Sequence, residues 1–191
     1  MKITPGAVAF DIDGVVANTM RLFIEIARDK YQIDGLRYSD ITDYDLTACL
    51  DLEESEVYGI AQHIFDGSYD TPLLPIDGAP DVLKRLSRFD APVLFITARP
   101  YPGPMAKWIK TAVGLETADC EIIATGSFEK KAEILLDRSI EWFVEDRLET
   151  CFLLDQAGIK PIVFRQPWNR KPHSFVEVES WAGLADLIDF K

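Results

Sequence analysis

Ala7-Val8-Ala9-Phe10-Asp11-Ile12-Asp13-Gly14 is the stretch on which the reading of this chain turns. A short apolar run without alternation suits a strand buried on both faces of a parallel sheet. This one ends on two carboxylates two residues apart, and Gly14 then permits a tight turn. Strand geometry alone would set Asp11 and Asp13 on the same side. In parallel α/β sheets, ligands bind beyond the carboxyl ends of the strands. Two like charges crowded there are costly unless a cation or a proton offsets them. Mg²⁺, a hard ion that takes oxygen ligands and keeps water and substrate phosphate in its shell, suits such a pair. Taken alone, Asp-x-Asp-Gly fits equally well a turn in which both side chains bond backbone amides. An EF-hand calcium loop is disfavoured, because that loop needs glycine at its sixth position and Gly14 stands fourth.

Outward from this stretch, four more apolar runs bounded by breakers read as strands: residues 92–97, 121–124, 142–145 and 161–164. Helical patterns lie between them. Pro80 stands at the first position of one that runs to Leu86. Met105, Trp108, Ile109 and Ala112 mark another, which stops at Gly114. Ser127 is placed to cap a helix through Ala132, Leu135 and Leu136. Leu148 to Ala157 ends at Gly158, a natural residue to follow a helix. Strands alternating with helices predict an α/β fold with a doubly wound parallel sheet. Residues 18–76 break the alternation. Met20, Phe23, Ile24, Ala27 and Tyr31 form one helical stripe, and Val57, Ile60, Ala61, Ile64 and Phe65 form another behind acidic Glu53, Glu54 and Glu56. The sequence therefore predicts a core of residues 1–17 and 77–191, with a helical insert at 18–76 after the first strand.

Composition narrows the function classes. The 191 residues carry 20 Lys and Arg against 32 Asp and Glu, a formal net charge of −12. Such a polyanion is repelled by nucleic-acid backbone and by anionic membrane. With 48% hydrophobic and 27% charged residues the composition is globular, not disordered. Cys49, Cys120 and Cys151 show neither CxxC nor zinc-ligand spacing. No apolar run reaches the ~18 residues of a membrane span, and Asp11 and Asp13 interrupt the apolar stretch near the start, which does not read as a signal peptide. The expectation is a reduced, soluble, cytoplasmic protein.

Three further segments bear on the Asp11/Asp13 pair. Phe95-Ile96-Thr97-Ala98-Arg99 ends a buried strand with a hydroxyl, followed by amides able to approach a phosphate. Lys130 and Lys131 put two ammonium groups at a helix start, against the dipole, which makes sense if one faces a bound anion. Phe143-Val144-Glu145-Asp146-Arg147 again closes an apolar strand with carboxylates. Extended, Glu145 and Asp146 point to opposite sides, so one can join the Asp11/Asp13 cluster while the other supports it.

These four segments resemble, in order, the four motifs of the haloacid dehalogenase (HAD) superfamily of phosphohydrolases. Asp11-Ile12-Asp13-Gly14 matches the first, Thr97 the second, Lys131 the third and Glu145-Asp146 the fourth, over residues 7 to 165. Asp11 to Ala17, Phe95 to Arg99 and the tail from Val178 to Trp181 are most similar to the 5'(3')-deoxyribonucleotidase-like branch. Asn18 departs from the acidic residue common at that position in the branch, and Glu145 from the commoner Asp. The resemblance implies a Rossmann-like core with 18–76 as a small cap. It also implies a Mg²⁺-dependent phosphomonoesterase acting on a nucleoside monophosphate or similar small phosphate ester. Asp11 would be the nucleophile that becomes an aspartyl-phosphate, and Asp13 the acid and base. The metal would sit on the Asp11 carboxylate, the Asp13 backbone carbonyl and the Asp146 carboxylate. Thr97 and Lys131 would hold phosphoryl oxygens, Lys131 being preferred to Lys130 for its spacing to the fourth motif. Glu145 would stand behind the metal site.

Alternatives are a HAD phosphatase for a sugar phosphate or phospho-amino acid, which would share every core residue, and a silent binding module of the same fold. His63 reads as a packing or surface residue in the insert, and His173 has no visible partner. Trp168-Asn169-Arg170 follows a strand end and reads equally as a neighbour of the site or as an exposed connection. Oligomeric state is not legible.

Overall fold

A computed structural model describes residues 2–191. β1 (Val8–Phe10) is buried throughout. The chain then turns at Gly14, whose φ of 72° is left-handed. The amides of Val16 and Ala17 donate to the Ile12 carbonyl and that of Gly14 to Ala17, which closes the turn. α1 (Thr19–Tyr31) starts where the Asn18 side chain accepts the Arg21 amide. α2 (Leu46–Cys49) is capped by Asp45. α3 (Glu54–Asp66) opens on a Glu53/Glu56 capping box and stops at Gly67 in the left-handed region.

The alternating part follows: α4 (Ala79–Phe89), β2 (Val93–Thr97), α5 (Gly103–Trp108), β3 (Cys120–Ala124) and α6 (Lys131–Asp137). It continues through β4 (Trp142–Glu145), α7 (Leu148–Gln156), β5 (Lys160–Phe164), β6 (Val176–Val178) and α8 (Trp181–Leu187). All six strands pair in parallel in the order β3-β2-β1-β4-β5-β6. This is the doubly wound arrangement, and its strand order reverses beside β1.

Alternate residues of the strands feed two cores. Phe10, Phe95, Val144 and Ile162 pack with Leu83 and Leu86 of α4 and Trp181 and Leu184 of α8. Ala9, Leu94, Ile96 and Phe143 pack on the other face with Leu135 of α6 and Leu154 of α7. The first core runs on without a break into Leu22, Phe23 and Ile26 of α1 and Ile60 and Ile64 of α3. No helix among the described residues is long and apolar enough to cross a membrane.

Three local expectations change. Met105 to Val113 is not one regular helix, because α5 gives way to a π-helical turn over Ile109–Val113. Ser127 does not cap α6. Thr125 Oγ1 donates to the Ser127 carbonyl at 2.5 Å and accepts the Ser127 amide at 3.2 Å. That turn keeps 127–129 out of the helix, and Lys130 takes the cap position. β6 was not foreseen: it is a three-residue strand at the end of the sheet with Glu177 exposed, so it offers no apolar run.

Candidate active site

The register of the two middle strands gathers the acidic residues. Phe10 lies opposite Val144, and the Asp11 amide donates to the Val144 carbonyl at 2.9 Å. Asp11 and the Glu145-Asp146 pair therefore leave the sheet side by side. One carboxylate oxygen from each of Asp11, Glu145 and Asp146 lies within 4.8 Å of the others. Lys131, the first residue of α6, is fully buried and sends its Nζ to Asp11 Oδ2 at 2.9 Å and Glu145 Oε2 at 2.8 Å. Lys130 is exposed.

The three carboxylates are not equivalent. Besides Lys131, Glu145 accepts the amides of Asp146 and Arg147 through Oε1, each at 3.1 Å. Burial works to raise its carboxyl, but Lys131, with help from the Arg147 amide, holds it below the usual range. Asp11 accepts the Ile12 amide at 2.7 Å, and Asp146 accepts the Trp168 indole N–H at 2.9 Å. Burial, with the neighbouring carboxylates adding to it, pushes both Asp11 and Asp146 well above the usual range, despite Lys131. The Asp11–Asp146 pair is where positive charge is short.

Asp13 is directed elsewhere. Its Oδ2 accepts Arg99 Nε at 2.8 Å, and its Oδ1 accepts Arg99 Nη2 at 2.7 Å and Thr19 Oγ1 at 2.5 Å. Burial opposes ionisation there, but the Arg99 guanidinium outweighs it and lowers the carboxyl. Thr97 ends β2, buried, and its Oγ1 accepts the Arg99 amide at 3.2 Å. Four carboxylates, Asp11, Asp13, Glu145 and Asp146, thus face two cations, Lys131 and Arg99, and the set is two positive charges short. An oxygen-rich site with that deficit fits a divalent hard cation such as Mg²⁺. Gly14 belongs to the same packing, because a Cβ there would collide with the Asp146 carboxylate.

A cavity of about 590 Å³ opens over these groups. Asp11, Asp13, Thr97 and Asp146 line its polar end, and Phe23 of α1 and Val57 and Phe65 of α3 line its apolar walls.

Sequence reasoning singled out Asp11, Asp13, Thr97, Lys131, Glu145 and Asp146, and the structure brings all six to this one place. It left Arg99 without a role, although that residue stands in the quoted Thr97 segment. It left Trp168-Asn169-Arg170 open, and the structure divides them. Trp168 and Asn169 are buried, and Asn169 Nδ2 donates to the carbonyls of Asp146 and Phe164, each at 2.8 Å. Arg170 is exposed and pairs with Glu177. Gln166 was missed: its Nε2 donates to the Gly14 carbonyl at 2.7 Å, and its Oε1 accepts the Tyr38 hydroxyl. The one available signal was its place after a buried strand. His63 is away from the cavity lining and contacts Ser68. His173 does have partners, Glu177 at 3.3 Å and the Phe175 ring stacked at 5.6 Å.

Comparison with known proteins gives a family. The one described as "5' nucleotidase, deoxy (Pyrimidine), cytosolic type C protein" matches residues 6–191. Among curated protein sequences none matches significantly. Solved structures share the fold at low identity. A HAD-superfamily hydrolase from Ehrlichia chaffeensis has a TM-score of 0.59 at 17% identity, covering 97% of this chain and 96% of that one. CbbY from Rhodobacter sphaeroides in complex with phosphate has 0.59 at 16%, covering 96% of each chain. A hydrolase from Pseudomonas syringae has 0.62 at 9%, covering 94% and 96%.

Proposed function

Since the chain belongs to this HAD-type 5'-nucleotidase family and is a phosphoric monoester hydrolase, we propose that it cleaves a nucleoside monophosphate or similar small phosphate ester through an aspartyl-phosphate on Asp11. The observation that carries this reading is that Asp11 and Asp146, at the polar end of the cavity, share one buried cluster with Lys131 and Glu145.

In this reading the Asp11 and Asp146 carboxylates and the Asp13 backbone carbonyl would hold Mg²⁺, which would supply neutralising charge to the carboxylates and the phosphoryl oxygens. A carboxylate is a poor nucleophile toward a dianionic phosphate until such charge is offset, and Lys131 supplies a fixed share. Thr97 and Lys131 hold the phosphoryl oxygens. An Asp11 oxygen forms a bond to phosphorus as the bond to the ester oxygen breaks, and Asp13, which must enter this step protonated against the pull of Arg99, gives its proton to the departing alkoxide. Asp13 then takes a proton from water, whose oxygen attacks phosphorus, releasing inorganic phosphate and restoring the Asp11 carboxylate. Positioned proton transfer of this kind contributes about 10²–10⁴-fold. Glu145, bonded to Lys131 and two amides, orients the lysine and the turn that carries Asp146.

Residues 18–76 serve as the cap over a core of 1–17 and 77–191, with α1 and α3 walling the leaving-group end and excluding water. The site of action proposed is the cytoplasm. The test is phosphate release from nucleoside monophosphates, sugar phosphates and phospho-amino acids, with Mg²⁺ or with EDTA. Nucleoside monophosphates are expected to lead, EDTA to stop turnover, and Asp11→Asn to abolish it. A preference for sugar phosphates, or turnover by Asp11→Asn, would overturn the substrate or the mechanism respectively.

A further inference from the structure

Arg99 is buried, at 4% exposure, and has no part in the reaction scheme above. A buried guanidinium is expensive unless its donors are met. Here Nε and Nη2 form a two-pronged contact with both oxygens of Asp13, at 2.8 and 2.7 Å. Nη1 reaches the Ile64 carbonyl at 3.5 Å, and the guanidinium stands 5.5 Å from the centre of the Phe65 ring. Ile64 lies in the last turn of α3, whose carbonyls lack helical partners and favour a cation. The Arg99 amide is in turn fixed on Thr97 Oγ1.

We propose that Arg99 is a positioning residue. It holds the Asp13 carboxylate in one plane, aimed into the cavity and away from the Asp11–Asp146 pair, and ties it to the end of α3. Two parallel N–H···O contacts fix a carboxylate's plane as well as its place, which a single donor such as Thr19 does not. Without the fork, the Thr19 hydroxyl is the one side-chain contact left on Asp13, and the carboxylate can turn about it. The inference rests on the reading of Asp13 as the group that protonates the leaving oxygen.

The test compares kcat/KM for two esters of similar shape. p-Nitrophenyl phosphate releases a phenolate that needs no proton, and benzyl phosphate releases an alkoxide that does. Because kcat/KM extends only through the first irreversible step, it isolates leaving-group departure. Asp13→Asn sets the reference: a large loss on benzyl phosphate and a small one on p-nitrophenyl phosphate. Arg99→Lys keeps the charge beside α3 but loses the fork. It is expected to lose about 100-fold on benzyl phosphate and less than about 5-fold on p-nitrophenyl phosphate. The inhibition constant of inorganic phosphate should stay within about twofold. If Arg99→Lys does not fold, as judged by thermal melting, Arg99→Gln is read in the same way. Equal losses on both esters, no loss on either, or a raised inhibition constant with both losses would overturn the proposal. If Asp13→Asn separates the esters and the Arg99 variants do not, the inference alone falls. If Asp13→Asn fails to separate them, the acid–base reading falls with it.

Discussion

Glu145→Gln and Asp146→Asn each remove one charge from adjacent carboxylates, yet the structure predicts opposite effects on metal-free stability. Glu145 uses both oxygens, one for the Asp146 and Arg147 amides at 3.1 Å and the other for Lys131 at 2.8 Å. A glutamine satisfies only one side. With its carbonyl on the amides, its NH₂ faces the ammonium, and turned over, it faces two N–H donors. The better orientation loses one charge-assisted hydrogen bond, about 1.5–3 kcal/mol. Breaking a buried pair outright costs about 3–5 kcal/mol, but Lys131 keeps Asp11 at 2.9 Å. Glu145→Gln should therefore destabilise by about 2–3 kcal/mol, a fall in Tm of roughly 5–10 °C for a domain of this length. Asp146 is crowded by burial, Glu145 and Asp11 and has no cation of its own, and Asn can still accept the Trp168 indole N–H. At pH 8 Asp146→Asn should raise metal-free stability by about 1 kcal/mol or more. Toward Mg²⁺ the order reverses. Losing an orienting partner typically weakens a metal about 10–100-fold, so Asp146→Asn, which removes a direct ligand, should weaken it more than Glu145→Gln. Urea unfolding in EDTA and Mg²⁺ titration of both variants check this. A destabilised Asp146→Asn, or a Glu145→Gln with the weaker metal affinity, would refute the division of roles.

Three further outcomes are expected. Burial raises Asp11 and Asp146, so the native state holds their protons more tightly than the unfolded chain does. Metal-free stability should then increase as pH falls from neutral through those raised values, and Mg²⁺ should cancel the increase by keeping both ionised. Urea midpoints at pH 8 and pH 6, with and without Mg²⁺, measure it, and a metal-free midpoint that falls with acid contradicts it. Lys131→Met leaves Asp11 and Glu145 without their shared cation, and turnover should drop at least about 100-fold while the thermal midpoint also falls. A variant with wild-type turnover would remove Lys131 from the mechanism. Trp168→Phe deletes the indole donor to Asp146 and should weaken Mg²⁺ about 10-fold with a smaller effect on saturated turnover, read from activity against Mg²⁺ concentration.

The parts of the fold that were readable are those whose signal is local. Strands with buried faces, such as Val93–Thr97, run apolar up to their last residue, and helix ends at Gly114 and Gly158 must turn left-handed, so both leave a mark on the sequence. β6 leaves none, because an edge strand buries only one of its three residues. Asp11, Lys131 and Asp146 could be grouped because each stands where a strand ends or a helix begins. Arg99 could not be assigned to Asp13, since a salt bridge between distant positions has no periodicity or composition of its own. Gln166 and Tyr38 likewise meet only through the fold, and a loop glutamine is as ordinary as any surface residue until its neighbours are known.

The position of β1 in the sheet bears on how the chain comes off the ribosome. Its three residues are made before either partner, yet they pair with β2 through Phe95 and with β4 from Trp142 onward. The β4 partner emerges about 130 residues later, which at about 5–20 residues per second is a wait of roughly 7–26 s. β2 can cover one edge of β1 once it emerges, but the other edge stays bare until β4 follows. Newly made chains should accordingly be most prone to aggregation, and most dependent on chaperones, until the fourth strand clears the exit tunnel.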